Sequence, residues 1–472
     1  MRPTVRFIRR SRLVELVDVP PTLMLLDYLR ENEGATGTKE GCREGDCGAC
    51  TVALGRVRDG KIVYEPINSC IALLGQVDGS EVVTVEDLVQ SDGTLHPVQQ
   101  ALVEYHGSQC GFCTPGFVMA IFALWQATGG PVTRDQVNDW IAGNLCRCTG
   151  YRPIVDAAIS ASAQPRQDRF RKGAVDMAGV LTFLADGEDV FVGDENAFFA
   201  APTSLDSLAD LYAANPDATL VAGATDVGLW ITKQMRDLAK VIYVGKVKDF
   251  DRIDDTADEL IVGAGATYTA VEPHISRIDP DLGELIRRLG SKQVRAAGTV
   301  GGNIANGSPI GDMPPALIAL GARLVLASAE GSRELALEDF FIAYGEQDLR
   351  PGECLAQVVL PLPLEDQQFR TYKLSKRIEQ DISAVCAAFC LRLNDEGISE
   401  ARVAFGGMAE TPRRAPHCEA RLQGPPWNEA TLEAAMQALD SDFEPITDMR
   451  ASAAYRLRAA RNLLRRFFLE TT

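Results

Sequence analysis

The chain has 472 residues, which at roughly 100–200 residues per domain makes about two to four domains. Hydrophobic residues are 46% and charged residues 24% of the total, the balance of soluble globular chains, so wholesale disorder and fibrous classes are excluded. A net charge of −18 repels phosphate backbones and anionic lipid, which argues against nucleic acid or a membrane surface as the main partner.

The basic start, residues 1–12, is followed by Glu15 and Asp18 rather than an unbroken apolar stretch, so no signal-peptide core is expected. Short β-type runs at 5–8, 13–17, 51–54, 61–64 and 81–85 surround one helical stretch, 22–31, and residues 1–84 read as a small mixed α/β domain. Residues 85–163 turn helical, with segments 98–105, 117–127, 134–141 and 154–162 forming a compact bundle. The longest apolar run, 117–125, falls short of the roughly 18–20 residues that span a bilayer. Residues 164–195, charged and without sustained periodicity, read as a linker or irregular traverse. In 196–368, helices (204–215, 281–289, 313–320) alternate with apolar runs (219–222, 241–244, 259–262, 324–326), as in an α+β or α/β domain. A last segment, 369–472, has strand-like 384–393 and 401–405 and closes on an Arg- and Ala-rich helix near 448–468.

Eight of the twelve cysteines lie at or before Cys148. With no secretion signal, a cytoplasmic location is expected, where close thiol pairs read as metal or redox sites before disulfides. Cys42, Cys47 and Cys50 stand as C-x4-C-x2-C, with Cys70 after Asn68-Ser69. This is the plant-type ferredoxin spacing for a 2Fe-2S cluster. Three glycines in the loop, Gly41, Gly45 and Gly48, permit a tight wrap that brings backbone N–H groups to the sulfurs. Four thiolates can also hold zinc, but structural zinc sites usually show two C-x2–4-C pairs, so the spacing favours iron–sulfur. Cys110 and Cys113 form a second pair and Cys146 and Cys148 a third, each before a predicted helix whose N-terminus favours anionic thiolates. By spacing alone, these four suit zinc or iron–sulfur. Cys354, Cys386, Cys390 and Cys418 lack such company and read as core residues. None of His96, His106, His274 and His417 has paired-ligand spacing.

Two later segments are rich in glycine turns of the kind that hold phosphate: Thr219-Leu220-Val221-Ala222-Gly223-Ala224-Thr225-Asp226, and Gly298-Thr299-Val300-Gly301-Gly302-Asn303 continuing to Asp312. Neither is G-x-G-x-x-G and no Walker A motif occurs, so a Rossmann site or P-loop is not supported. By composition alone either segment could be a structural turn.

Taken together, Lys39-Glu40-Gly41-Cys42 through Cys50, His106 through Gly116, Gly143-Asn144-Leu145-Cys146-Arg147-Cys148-Thr149-Gly150-Tyr151-Arg152 and Gly301-Gly302-Asn303-Ile304 resemble the molybdenum hydroxylase family, over nearly the whole length. The likeness is greatest to the small, iron–sulfur and FAD subunit of bacterial xanthine dehydrogenases. It implies a multidomain α+β chain: a β-grasp 2Fe-2S ferredoxin domain, a four-helix 2Fe-2S bundle, a two-lobed FAD-binding domain of the PCMH type and a C-terminal α+β flavoprotein domain. It also implies that Cys110, Cys113, Cys146 and Cys148 hold a second 2Fe-2S cluster. FAD contacts are implied for Thr219 to Asp226, Leu289, Leu355, Thr299, Gly301, Gly302, Asn303, Asp312 and Lys373, and Gln109 matches a position beside the partner's pterin.

The family's large molybdenum-binding portion has no counterpart in these residues. The resemblance therefore implies a partner subunit carrying the molybdenum cofactor, in a heterotetramer of two heterodimers. It implies no catalytic acid or base on this chain. Electrons from the oxidation of hypoxanthine and xanthine to urate would pass through the two clusters to FAD and then NAD. The competing readings are the same subunit of an aldehyde- or N-heterocycle-oxidising relative, a stand-alone FAD iron–sulfur reductase, and a zinc-stabilised binding protein.

Overall fold

The computed structural model describes residues 1–90 and 92–472. The chain divides into two compact units, Met1–Lys248 with Gly290–Gly298, and Asp249–Leu289 with Thr299–Thr472.

In the first unit a five-stranded sheet runs in the order Arg12–Leu16, Val5–Arg9, Glu81–Val83, Thr51–Arg58, Lys61–Asn68. Val5–Arg9 is antiparallel to its hairpin partner and parallel to Glu81–Val83. The sheet buries Phe7, Val52, Leu54 and Val82 against Leu25 and Leu29. Those leucines lie on a helix shorter than the 22–31 expected: one turn, Leu25–Asp27, widens into a π-type turn at Tyr28–Asn32. The N-terminal side is held instead as extended chain by a bridge between Met24 and Leu73.

The four expected helices are present at Pro97–Glu104, Thr114–Ala127, Arg134–Ile141 and Arg152–Ser162. Thr114–Ala127 is buried on every side from Gly116 to Trp125, which is why its sequence is apolar all round without being long enough for a membrane. No helix among the described residues is long and apolar enough to cross one.

Residues 164–195 are not the irregular traverse their composition suggests. They form helices Arg169–Lys172 and Ala174–Leu184 and a strand, Val190–Gly193. Arg166, Asp168 and Arg171 make specific bonds instead of facing water. Arg171 donates to the carbonyls of Trp125, Gln126 and Thr128 at 2.8–3.0 Å, and Arg166 donates to those of Trp125 and Gly130. They satisfy carbonyl groups that a helix end otherwise leaves without partners.

The strand Val190–Gly193 then starts a second sheet, in the order Val190–Gly193, Phe198–Ala201, Lys240–Tyr243, Thr219–Val221. The last three strands are parallel. The helix Leu205–Ala214 makes the crossover. The apolar face of this sheet is continuous with the core of the first, where Phe199, Val221 and Val241 join Val52 and Leu74 in one cluster.

Among the described residues the second unit contains two larger sheets and a two-stranded one, Phe341–Ala343 with Glu346–Gln347. One of the larger sheets is fully antiparallel, in the order Ile253–Asp255, Glu259–Gly263, Cys354–Pro361, Arg323–Ser328, Gly331–Ala336. The other runs Gln367–Leu374, Val385–Asn394, Gly397–Gly406, Arg413–Arg414. Phe389 and Phe405 of this sheet pack with Phe467 of the C-terminal helix Ala453–Thr471. Cys354, Cys386, Cys390 and Cys418 are buried, in keeping with a packing role. The α+β class expected from the sequence describes both units.

Candidate redox and flavin sites

The loop that carries Cys42, Cys47 and Cys50 has no regular secondary structure, and its shape follows from local conformation. Arg43, Gly45 and Gly48 all have positive φ, which turns successive N–H groups inward. The N–H groups of Glu44 and Cys47 point at Cys42 Sγ, at 3.5 and 3.3 Å, and that of Cys42 at Cys47 Sγ, at 3.3 Å. The fourth cysteine, Cys70, is buried just past the end of the strand Lys61–Asn68. Side-chain contacts link the four thiols in one series, Cys47 to Cys42 to Cys70 to Cys50. Donation from Cys47 and Cys70 holds the Cys42 thiol far below its ordinary value, and Cys70, as donor, is pushed well above.

The second set meets in two pairs, Cys113 with Cys146 and Cys110 with Cys148. Cys113 is the residue from which the helix Thr114–Ala127 starts, and burial followed by the Cys146 contact raises its thiol to about 12. Burial works against ionisation of Cys146 as well, but bonds from the Thr149 hydroxyl and N–H outweigh it and lower the thiol. Cys110 and Cys148 are exposed, as is the neighbouring Gln109. No group of three or more His, Cys, Asp or Glu side chains among the described residues is arranged to hold a single metal ion.

The two cysteine loops touch directly. Leu145 N–H donates to the Cys47 carbonyl at 3.0 Å, and Asn144 Nδ2 donates to the Gly48 carbonyl at 2.9 Å. Gly48 has to be glycine: its φ is +67°, and a Cβ there would lie 2.1 Å from the Gly143 carbonyl oxygen. Gln293 joins the same network, donating to Asn144 Oδ1 at 2.8 Å and to Thr51 Oγ1 at 3.1 Å. Sequence reasoning assigned no role to Asn144, Gln293 or Thr51, and no spacing rule could have paired them, because their partners lie far away in the chain.

The expected flavin residues are distributed over both units. In the first unit the strand Thr219–Val221 runs into the turn of Ala222, Gly223, Ala224, Thr225 and Asp226 and then into the helix Val227–Thr232. Gly223 lies so close to the backbone of Ala297 that a Cβ would come 2.0 Å from its carbonyl oxygen. Ala224 takes φ +56°, the left-handed region in which a non-glycine residue is uncommon and turn amides form anion-binding concavities. Among the described residues, the N–H groups of Gly223, Ala224 and Thr225 meet no acceptor. They are free to serve a phosphate.

In the second unit Thr299 caps the short helix Val300–Ala305, its hydroxyl accepting from Gly302 N–H at 3.0 Å. Asn303 Oδ1 is buried without a partner among the described residues. Asp312 and Lys373, expected separately as cofactor contacts, come together: Lys373 Nζ lies 2.6 Å from Asp312 Oδ2 and 3.1 Å from the Arg288 carbonyl, with side chains 2% and 9% exposed. Leu289 is half-buried beyond the helix Pro280–Arg287, and Leu355 is buried opposite Leu326 in the antiparallel sheet. A polar cleft of about 300 Å³ in this unit opens beside Lys373 and is lined by Asp281, Glu284, Arg288, Thr371, Arg466 and Glu470 among others. The free amides of the first unit fit a phosphate, and in the second unit the unpaired Asn303 oxygen fits a hydrogen-bond donor of a polar ligand.

Comparison with known proteins assigns these regions. Residues 10–74 match a 2Fe-2S iron–sulfur cluster binding domain, and 84–159 match a [2Fe-2S] binding domain. Residues 195–363 match the FAD binding domain in molybdopterin dehydrogenase, and 370–471 the CO dehydrogenase flavoprotein C-terminal domain. Xanthine dehydrogenase of Emericella nidulans is 33% identical over 93% of this chain, and xanthine dehydrogenase 2 of Arabidopsis thaliana 30% over 89%. The chain spans only 36% of the length of each. Among solved structures, quinoline 2-oxidoreductase from Pseudomonas putida 86 is 27% identical with a TM-score of 0.52, covering 57% of this chain and 94% of the other. CO dehydrogenase from Oligotropha carboxidovorans is 25% identical with a TM-score of 0.54, covering 58% and 96%.

Proposed function

Since the four domains of this chain are those of the iron–sulfur and FAD portion of the molybdenum hydroxylases, we propose that it is the electron-transfer component of a xanthine dehydrogenase. In this reading Cys42, Cys47, Cys50 and Cys70 hold one 2Fe-2S cluster, and Cys110, Cys113, Cys146 and Cys148 hold the second. FAD is held by residues 219–226 and by Thr299, Gly301, Gly302, Asn303, Asp312 and Lys373, with Leu289 and Leu355 nearby. When bound, the clusters supply one-electron carriers and FAD a two-electron store.

The chain's own residues set the conditions for that relay. Backbone N–H groups around Cys42 and Cys47 offset thiolate charge. Contact between the loops, through Leu145 N–H and the Cys47 carbonyl, keeps the two cysteine sets at a fixed short range, and this contact is the observation that carries the proposal. The free amides of Gly223 to Thr225 bind phosphate, and the Asp312–Lys373 pair presents a charge at the second loop without exposing it to water. The exposed Cys110 and Cys148 face outward, where we place the partner carrying the molybdenum cofactor. Hypoxanthine and xanthine are oxidised to urate on that partner, in a cytoplasmic assembly of two heterodimers, and NAD takes the electrons at the polar cleft beside Lys373.

A second reading is supported by the CO-dehydrogenase-type C-terminal domain and by the likeness to quinoline 2-oxidoreductase: the same relay serving an enzyme for another N-heterocycle or an aldehyde. The test uses the native complex. Iron and acid-labile sulfide should each come to about four per chain for two 2Fe-2S clusters, and Cys42→Ser and Cys148→Ser should each remove one paramagnetic signal of the reduced protein. A colourless zinc protein, or signals unchanged in both variants, refutes the relay. Reduction by xanthine selects the first reading, and reduction by an aldehyde or N-heterocycle alone selects the second.

A further inference from the structure

Tyr268 opens the helix Tyr268–Ile278. Its side chain is 2% exposed, and its hydroxyl has no hydrogen-bond partner among the described residues. Buried hydroxyls nearly always find partners, and one left without costs about as much as a hydrogen bond is worth. The surroundings show why this one is kept. Thr267 bridges to Thr299, Val300 N–H donates to the Ala266 carbonyl and Gly301 N–H to the Ala264 carbonyl, both at 3.0 Å. The chain leading into Tyr268 therefore runs along the second glycine loop.

Two further observations bear on what the phenol can do there. Burial, with the negative charge of Asp312 adding to it, keeps the phenol protonated and hence a donor. Asp312 is not its acceptor: the hydroxyl reaches no partner among the described residues, and that carboxylate receives Lys373 Nζ and the Ser383 hydroxyl. The residue before it, Gly311, comes close to Asn303: a Cβ there would lie 3.6 Å from Asn303 Oδ1. An unpaired donor, Tyr268, and an unpaired acceptor, Asn303 Oδ1, thus lie on the two segments that the 264–267 and 299–301 contacts hold together.

We propose that Tyr268 is an additional cofactor-binding residue, its hydroxyl donating to an acceptor oxygen or nitrogen of the FAD held at the second glycine loop. The assignment rests on the FAD reading above. It explains a buried hydroxyl that contributes nothing to the protein alone, and it requires that the hydroxyl matter only when cofactor is bound.

Tyr268→Phe in the full chain removes the donor and keeps the ring. Flavin-depleted wild type and variant are titrated with FAD by fluorescence quenching, and the flavin-free forms are melted in parallel. Loss of one buried donor should raise the FAD dissociation constant about ten-fold or more, while the flavin-free melting temperature stays equal or rises and the iron content is unchanged. A dissociation constant within about two-fold of wild type overturns the inference. So does a variant that melts several degrees lower or fails to fold, since either would give the hydroxyl a partner inside the protein. Wild type that does not take up FAD refutes the functional reading instead, which keeps the two failures apart.

Discussion

Breaking the Asp312–Lys373 pair should be costly from either side and nearly harmless from both. The two side chains are 2.6 Å apart with almost no access to water. Asp312→Asn keeps the shape but leaves a buried ammonium facing an amide and the Arg288 carbonyl. Lys373→Met leaves a buried carboxylate with little besides the Ser383 hydroxyl. Removing one partner of such a pair typically costs about 3–5 kcal/mol, because the other charge stays buried, whereas replacing both is often neutral. Each single variant should therefore lose about 3–5 kcal/mol, and the double variant should lie close to wild type. The coupling would then approach the sum of the two single costs, about 6–10 kcal/mol, and not a few tenths. A chain of this size need not unfold in one step, so the measurement should be hydrogen exchange of the strands Gln367–Leu374 and Val385–Asn394 in flavin-free protein. Single costs below about 1 kcal/mol, or strictly additive losses in the double variant, would mean that the pair is solvated and the assignment of a dry charge at the second loop is wrong.

Three other outcomes follow from particular contacts. Gly48→Ala must meet the Gly143 carbonyl at 2.1 Å in a left-handed conformation, and should cost at least 2–3 kcal/mol and lower iron content. Gly60→Ala shares the positive φ but has open space, so about 1–2 kcal/mol and normal iron content are expected; equal effects in the two variants would remove the crowding argument. Burial would raise Asp168, but donation from His96, the Arg171 N–H and Trp125 outweighs it and holds the carboxyl below its ordinary value. His96 Nδ1 accepts from Val98 N–H, which leaves the proton on Nε2, 3.1 Å from Asp168. A carboxyl lowered in the fold contributes stability that is complete above its unfolded value of about 4 and is lost as pH falls through the folded value. Asp168→Asn should therefore lower stability near pH 7 by about 1–3 kcal/mol and flatten the acid limb of the urea midpoint below about pH 4, and a limb as steep as wild type would exclude Asp168 as its source.

What was legible in the sequence is what physical chemistry writes locally. Cysteine ligands on one loop must be spaced to reach a common centre, so C-x4-C-x2-C can be read without a fold. The same holds for the all-apolar segment 117–125, whose only stable place is a helix buried on every side. Residues 164–195 show the opposite case. A stretch of arginines and aspartates is a linker if its charges face water, and an anchor if they cap a helix. Only the position of the carbonyls of Trp125, Gln126 and Thr128 decides between them. The flavin loops fall between these cases: the glycines were visible, but the reason for Gly223 is the backbone of Ala297, and Lys373 finds Asp312 across 61 positions of sequence. Tyr268 gave no signal at all, since an aromatic residue at the start of a helix reads as core. Its meaning lies in a bond it does not make. A composition or spacing rule counts groups that are present, whereas an unpaired buried donor is defined by every neighbour that fails to reach it. Side chains kept for a ligand are therefore the ones a sequence conceals best, and the accounting of buried polar atoms is where they emerge.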